Sequence, residues 1–192
     1  MATPHADSRL PLVLDAAARL IRSRGYEGAS VRQIAQAAGM LPGSLYCHFA
    51  TKDELLVAVY LRGVEQITEA VLAAIEPHDD PWDRLEAACV AHLEAILRDD
   101  DYAQVVVRVR PSDAPAAEPR LVELRNRYEG LFNELLQQLP LARGTDRHAL
   151  RLMLMGALNW SQTWYRPDGR FNPRGIARKF VGLLRQAQEV DA

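Results

Sequence analysis

Apolar residues recur at three- and four-residue spacing along almost the whole chain, a period that belongs to amphipathic helices. Val13, Ala16, Ala17, Leu20 and Ile21 form the first such stripe, and Gly25 is expected to stop that helix. Val31, Ile34, Ala35 and Ala38 repeat the pattern over a much shorter segment, with a Ser30–Gln33 capping box at its start and Gly39 at its end. A second box, Thr51 with Glu54, opens a long helix that carries Tyr60, Val64, Ile67, Val71 and Ile75 on one side. Asp80-Pro81 is read as the cap and first turn of the next helix, whose apolar face is Trp82, Leu85, Cys89, Leu93 and Ile96. Residues 102–110 are valine-rich, which suits a strand, yet no partner strand is evident elsewhere, so a helix is expected. The three prolines within 111–119 mark a loop or a broken helix start. Leu121, Leu124, Tyr128, Leu131, Phe132 and Leu135 define another long helix that ends near Pro140. The run Leu152–Leu158 within residues 145–165 is apolar on every side, and a helix of that kind needs a second partner surface besides its own core. Asn172-Pro173 caps a last helix with Ile176, Phe180, Leu183 and Leu184. The chain is therefore expected to be all-α.

Composition narrows the class. Hydrophobic residues make up 48% and charged residues 25%, as in a soluble globular domain. No apolar run reaches the roughly 18–20 residues that span a bilayer. Residues 1–10 hold no signal-peptide core, so a cytoplasmic location is expected. Cys47 and Cys89 give neither a disulfide framework nor a paired metal motif. The five histidines show no metal-ligand spacing, and no phosphate loop or nucleophile motif is present. Cys89 and His92 lie one turn apart, but Trp82 and Leu85 on the same face make Cys89 a core residue rather than half of a reactive pair. An enzyme, a cofactor and a metal are accordingly not expected. The net charge of −2 hides an asymmetry: residues 1–52 carry six Lys/Arg against three acids, and the remainder 17 against 22. A mildly basic head on an acidic body is compatible with a head that meets phosphate.

The most informative stretch runs from Ser30 to Phe49. Two short helical segments flank a glycine turn; Ile34, Ala35, Leu45 and Phe49 can lock them together, and Ala35 is small where they would cross. This is the helix-turn-helix arrangement, whose second helix enters the major groove. From Gly39 the chain continues Met-Leu-Pro-Gly-Ser-Leu-Tyr-Cys-His-Phe-Ala-Thr-Lys-Asp-Glu-Leu to Leu55. That string resembles the signature of the TetR family of repressors: a short recognition helix with Leu-Tyr and His-Phe, then a Ser/Thr-Lys-acid-acid-Leu helix start. The likeness is close over about residues 9–56. Leu41 stands where many relatives have a capping serine, and Cys47 where they often carry a larger aromatic or basic residue.

The resemblance implies an N-terminal three-helix helix-turn-helix domain (residues 1–56) and a C-terminal helical effector-binding and dimerisation domain (57–192). It also implies a homodimer on a palindromic operator in double-stranded DNA. Carried onto this chain, the DNA-binding candidates are Ser30, Arg32, Gln33, Pro42, Gly43, Ser44, Tyr46, Cys47, His48 and Lys52. Tyr46 and His48 are polar groups suited to phosphate oxygens. Lys52, in the first turn of its helix, can meet a phosphate together with free backbone N–H groups. Gly43 and Ser44 are small enough to let the backbone approach base edges.

A regulator needs an input. The segment Gly156–Gly169 resembles the subgroup of these repressors that senses acyl-CoA thioesters. Such a ligand needs an apolar tunnel with basic residues at its mouth. The candidates for that role are Leu93, Val106, Arg108, Arg110, Tyr128, Phe132, Met153, Trp160 and Trp164. Arg120, Arg125 and Arg127 can add charge or pair with Glu118, Glu123 and Glu129. Trp160 and Trp164, at i and i+4, serve either a ligand or a subunit interface, and the sequence favours neither. Two alternatives stand beside the acyl-CoA reading: the same repressor answering to an uncharged lipophilic molecule, and a helical ligand-binding module without DNA affinity.

Overall fold

The computed structural model describes residues 9–189; residues 1–8, part of the stretch searched for a signal-peptide core, lie outside them. No strand occurs among the described residues, so the valine-rich segment is the helix expected of it. The helices are α1 (Leu10–Gly28), α2 (Val31–Ala37), α3 (Pro42–Tyr46), α4 (Lys52–Ile75) and α5 (Pro81–Ile96). They continue with α6 (Asp101–Arg108), α7 (Glu118–Gln138), α8 (Arg147–Trp164) and α9 (Pro173–Glu189). A single 3₁₀ turn, Pro111–Asp113, occupies the proline-rich stretch. No helix among the described residues is long and apolar enough to cross a membrane.

The capping chemistry read from the sequence forms. Ser30 Oγ accepts the Gln33 N–H at 3.3 Å while Gln33 Oε1 accepts the Ser30 N–H at 3.1 Å. Asp80 accepts from Trp82 and Asp83, and Asn172 accepts the Gly175 N–H at 2.7 Å. The second box closes differently from the expected form. Thr51 Oγ1 accepts the Glu54 N–H at 3.1 Å, but Glu54 reaches back one residue further, to the Ala50 N–H at 2.8 Å. The first helix also differs. Gly25 breaks the helical backbone at φ +74°, yet a further turn runs on to Gly28. That turn persists because Tyr26 is buried and its hydroxyl donates to Asp53 at 2.9 Å.

The described residues form two compact units. One holds the chain up to Glu65 together with Asp99–Arg125; the other holds Gln66–Arg98 and the chain from Asn126 onward. In the first, α1 packs on both α2 and α6, and α2 on α3. Its core includes Val13, Ala17, Ile21, Ile34, Ala35, Leu45, Leu55 and Leu56. The Tyr102 hydroxyl of α6 donates to Asp15 of α1 at 2.7 Å, and Arg22 pairs with Asp99 and Asp101. In the second unit, α5 packs on α8 and α9 around Leu85, Cys89, Leu93, Phe132, Leu154 and Leu158.

The closest approach in the first unit occurs at Gly63 of α4. A Cβ there would lie 2.6 Å from Val106 Cγ2 and 2.8 Å from the Tyr102 carbonyl oxygen. Since one obstacle is backbone, α6 as a whole would have to move. Gly63→Ala is therefore expected to destabilise the fold by about 1–3 kcal/mol, the usual range for overpacking. Urea unfolding of Gly63→Ala beside Gly130→Ala, where an added Cβ meets nothing within 4 Å, is the check. Equal stabilities would contradict the close approach.

Candidate functional site

The helix-turn-helix is built by local rules. After α2, the Gly39 N–H bonds the Gln36 carbonyl at 3.1 Å and the Met40 N–H bonds the Ala35 carbonyl at 2.8 Å. With Gly39 at φ +65°, this is a Schellman ending that turns the chain sharply into α3. Pro42 opens α3 at a position where a missing N–H costs nothing. Leu45 is 1% exposed and locks α3 onto the core, while Phe49 is half-buried.

The DNA-binding candidates sort into two groups. Gly43, Ser44, Tyr46 and Cys47 are exposed together along α3 and its end, and Arg32 is exposed on α2. His48 and Pro42 are half-buried beside them. Ser30, Gln33 and Lys52 do structural work. The first two hold each other in the capping box. Lys52 Nζ lies 4.1 Å from the centre of the Tyr26 ring and donates to the Glu27 carbonyl at 3.5 Å. An ammonium has three donors, so this brace leaves Lys52 capacity for a phosphate. Cys47 Sγ donates to the Gly43 carbonyl at 3.5 Å, a bond within the helix end.

The ligand candidates divide between the two units. Val106, half-buried, and the exposed Arg108 and Arg110 belong to the first. In the second, Leu93 and Phe132 are fully buried and Tyr128 nearly so. Met153, Trp160 and Trp164 do not join them. They are 56%, 67% and 45% exposed on the far side of α8, in one stripe with Leu152 and Gly156. The run 152–158 is thus not buried all round within one chain: Leu154, Met155 and Leu158 face the core, Ala157 is half-buried, and Leu152, Met153 and Gly156 are left open. Leu183 of α9, expected on the apolar face, is 64% exposed as well; Ile176, Ala177 and Val181 are the buried positions. Among the arginines, Arg120 pairs with Glu123, and Glu129 pairs with Arg151 of α8.

Two residues absent from the candidates stand at the centre of the second unit. His92 is 2% exposed; its Nδ1 lies 2.6 Å from the Tyr128 hydroxyl and its Nε2 lies 3.1 Å from Asn159 Oδ1. Because an amide oxygen only accepts, Nε2 carries the proton and Nδ1 accepts from Tyr128. The His92 ring stacks on Tyr128 and meets Phe132 edge-on, both with centroids at 5.7 Å. Burial lowers the His92 pKa to about 4, against the opposing bond to Asn159. Burial also pushes the Tyr128 hydroxyl and the Cys89 thiol up, so both stay protonated and Cys89 is the core residue its neighbours imply. A lone histidine on an apolar helix face carries no sequence signal for such a cluster, since its partners come from α7 and α8.

A histidine that titrates near pH 4 folded and 6.5 unfolded makes the unfolded chain bind more protons between those values. Its contribution to stability is complete above pH 6.5 and is lost as pH falls towards 4, about 3 kcal/mol in all. The unfolding free energies of the native chain and His92→Gln should therefore converge as pH drops from 7 to 4 in a denaturant series. Parallel curves would contradict a neutral buried His92.

Comparison with known proteins agrees with this geometry. The family described as "Bacterial regulatory proteins, tetR family" matches residues 13–59, and "Tetracyclin repressor-like, C-terminal domain" matches residues 78–187. The chain is 30% identical over 189 residues to the HTH-type transcriptional repressor KstR2 of Mycobacterium tuberculosis, covering 94% of this chain and 92% of that one. It is 41% identical over 140 residues to the HTH-type transcriptional regulator CymR of Pseudomonas putida, covering 70% and 66%. The solved structure of AibR in complex with isovaleryl coenzyme A and operator DNA superposes with a TM-score of 0.77 at 28% identity, covering 91% of this chain and 97% of that one. With family matches at both ends and a full-length relative at 30% identity, this chain belongs to the TetR family of transcriptional regulators.

Proposed function

We propose that the chain is a ligand-responsive transcriptional repressor that binds a palindromic operator as a homodimer and is released by an acyl-CoA thioester. The observation that carries the DNA-binding part is the exposed group Arg32, Gly43, Ser44, Tyr46 and Cys47 on a helix-turn-helix braced by Ser30, Gln33 and Lys52. Residues 1–56 act as the reading head and 57–192 as the effector and dimerisation part. Tyr46→Ala should weaken operator binding with the fold intact. Lys52→Ala should lower the slope of log affinity against log salt by about one unit per half-site. Unchanged affinity for both variants across a salt series would mean that DNA meets another surface.

The dimer rests on the apolar stripe of α8, with Leu183 of α9, that the single chain leaves in water. A two-fold pair would bury these residues and set the recognition helices about one DNA turn apart, roughly 34–36 Å. A carboxylate at Trp160 would be buried twice over in such an interface. Sedimentation should therefore show a dimer at micromolar concentration for the native chain and a monomer for Trp160→Asp. A native monomer would defeat the assignment of α8 to the interface.

The effector is supported by AibR, solved with isovaleryl coenzyme A and operator DNA, and by the deep apolar surroundings of Leu93 and Phe132. A ligand drives release only if it binds the DNA-incompetent form more tightly, and a coupling of about 1–3 kcal/mol lowers DNA affinity roughly 5–150-fold. α4 is one continuous helix from Lys52, within the reading head, to Ile75, and so offers a rigid element to tilt. Operator release titrated with acyl-CoAs should respond to thioesters and not to their free acids. The second reading is an uncharged lipophilic effector. It is favoured by the neutrality of the buried polar set His92, Tyr128 and Asn159, and an equal response to the free acids would leave it standing.

A further inference from the structure

We propose that Leu41 reads the methyl group of a thymine in the major groove and so sets the operator base at one position of each half-site. The inference rests on the DNA-binding reading above. Leu41 is 76% exposed, more than Trp160 or Leu183 on the open faces of α8 and α9. It occupies the cap position of α3, where serine, threonine, aspartate or asparagine would satisfy a free N–H, and no side-chain bond is made there. Its backbone is tied, since its carbonyl accepts the Ser44 N–H at 3.0 Å and the Leu45 N–H at 3.3 Å. A fixed backbone in an extended conformation, φ −76° and ψ 142°, thus holds an apolar side chain out in solvent. One local rule is broken here, since the helix start has no cap, and the residue that stands there is the most exposed large hydrophobic of the described residues. Breaches of that kind in a well-formed element belong at functional positions.

The surroundings identify what the side chain meets. Leu41 borders an open groove lined also by Arg32, Gln36, Gly39, Met40 and Pro42. Arg32 and Gln36 are exposed, one turn apart on α2, and supply donors for phosphate or base edges beside it. A leucine has no polar atom, so the one feature of a base pair it can reward in the major groove is the thymine C5 methyl. Cytosine at the same place has no methyl, so a leucine set against it gains no apolar contact. The occupant is therefore a T·A pair in duplex DNA.

Uracil removes that methyl and changes nothing else in the pair. Duplexes are selected from a random library with the full-length chain, and affinity is then measured by fluorescence anisotropy with each thymine replaced in turn by uracil. One thymine per half-site should be sensitive, with affinity falling about fourfold for one replacement and about fifteenfold for both, the scale of a buried carbon group. Leu41→Ala should bind the thymine duplex about as weakly as the native chain binds the uracil duplex, and should not distinguish the two. Leu41→Ser restores a capping side chain; its thermal unfolding should be at least as high as that of the native chain, with the same loss of discrimination. A native chain indifferent to uracil at every position, or a Leu41 variant that keeps the discrimination, would overturn the proposal while leaving DNA binding intact. Failure to select any duplex would overturn the DNA-binding reading itself, and this proposal with it.

Discussion

α6 can lie against α4 only because residue 63 has no side chain. The gap a Cβ would need is filled by Val106 and by the Tyr102 carbonyl, so a backbone segment nearly forty residues away in sequence is seated by the absence of one methyl group. Around that contact, Tyr102 reaches Asp15 and Arg22 reaches Asp99 and Asp101, which ties α6 to α1 as well. Asp99 is exposed and its pair adds little alone, whereas the pair with Asp101 is part-buried. Packing sets the position, and the polar contacts select the register. The result is that the compact unit carrying α2 and α3 also contains α6. A perturbation of α6 is therefore felt within the same packed body as the reading helices.

Within that body the polar residues divide by role. Ser30 and Gln33 satisfy one another's backbone donors, Lys52 lies over Tyr26, and Asp53 holds the Tyr26 hydroxyl. The first pair closes the start of α2, and the contacts of Lys52 and Asp53 with Tyr26 tie the start of α4 to the end of α1. The five residues of α3 are too few to be stable alone, and Leu45 in the core together with the Schellman turn at Gly39 holds them. On the proposed DNA-binding reading, rigidity comes from the braces and recognition from the exposed side chains, so substitution of a brace and of a reading residue should differ in their effect on stability.

The second unit combines a buried polar cluster with an uncovered apolar face. His92, Tyr128 and Asn159 satisfy one another, and each would be costly to bury alone. This network ties α5, α7 and α8 together, with the imidazole paired on both sides. On the opposite side of α8, Leu152, Met153, Trp160 and Trp164 remain in water. A contiguous stripe of large apolar groups marks an association surface.

The helices, their caps and the helix-turn-helix were legible in the sequence because each depends on residues a few positions apart. The Ser30–Gln33 and Asp80 caps and the Gly39 turn follow from local hydrogen-bonding chemistry, whereas the α6 helix was read from the lack of a partner strand. The string from Gly39 to Leu55 likewise carries the family, since a short recognition helix must be built from neighbouring residues. What the sequence could not decide is which side of an apolar helix meets its own core. Met153 and Leu154 are adjacent and equally apolar, and only the packing of α8 on α5 leaves the first exposed and buries the second. The partners of His92, the braced state of Lys52 and the need for glycine at position 63 were hidden for the same reason. Each depends on groups brought together from distant parts of the chain, and the energy of such contacts has no trace in local spacing.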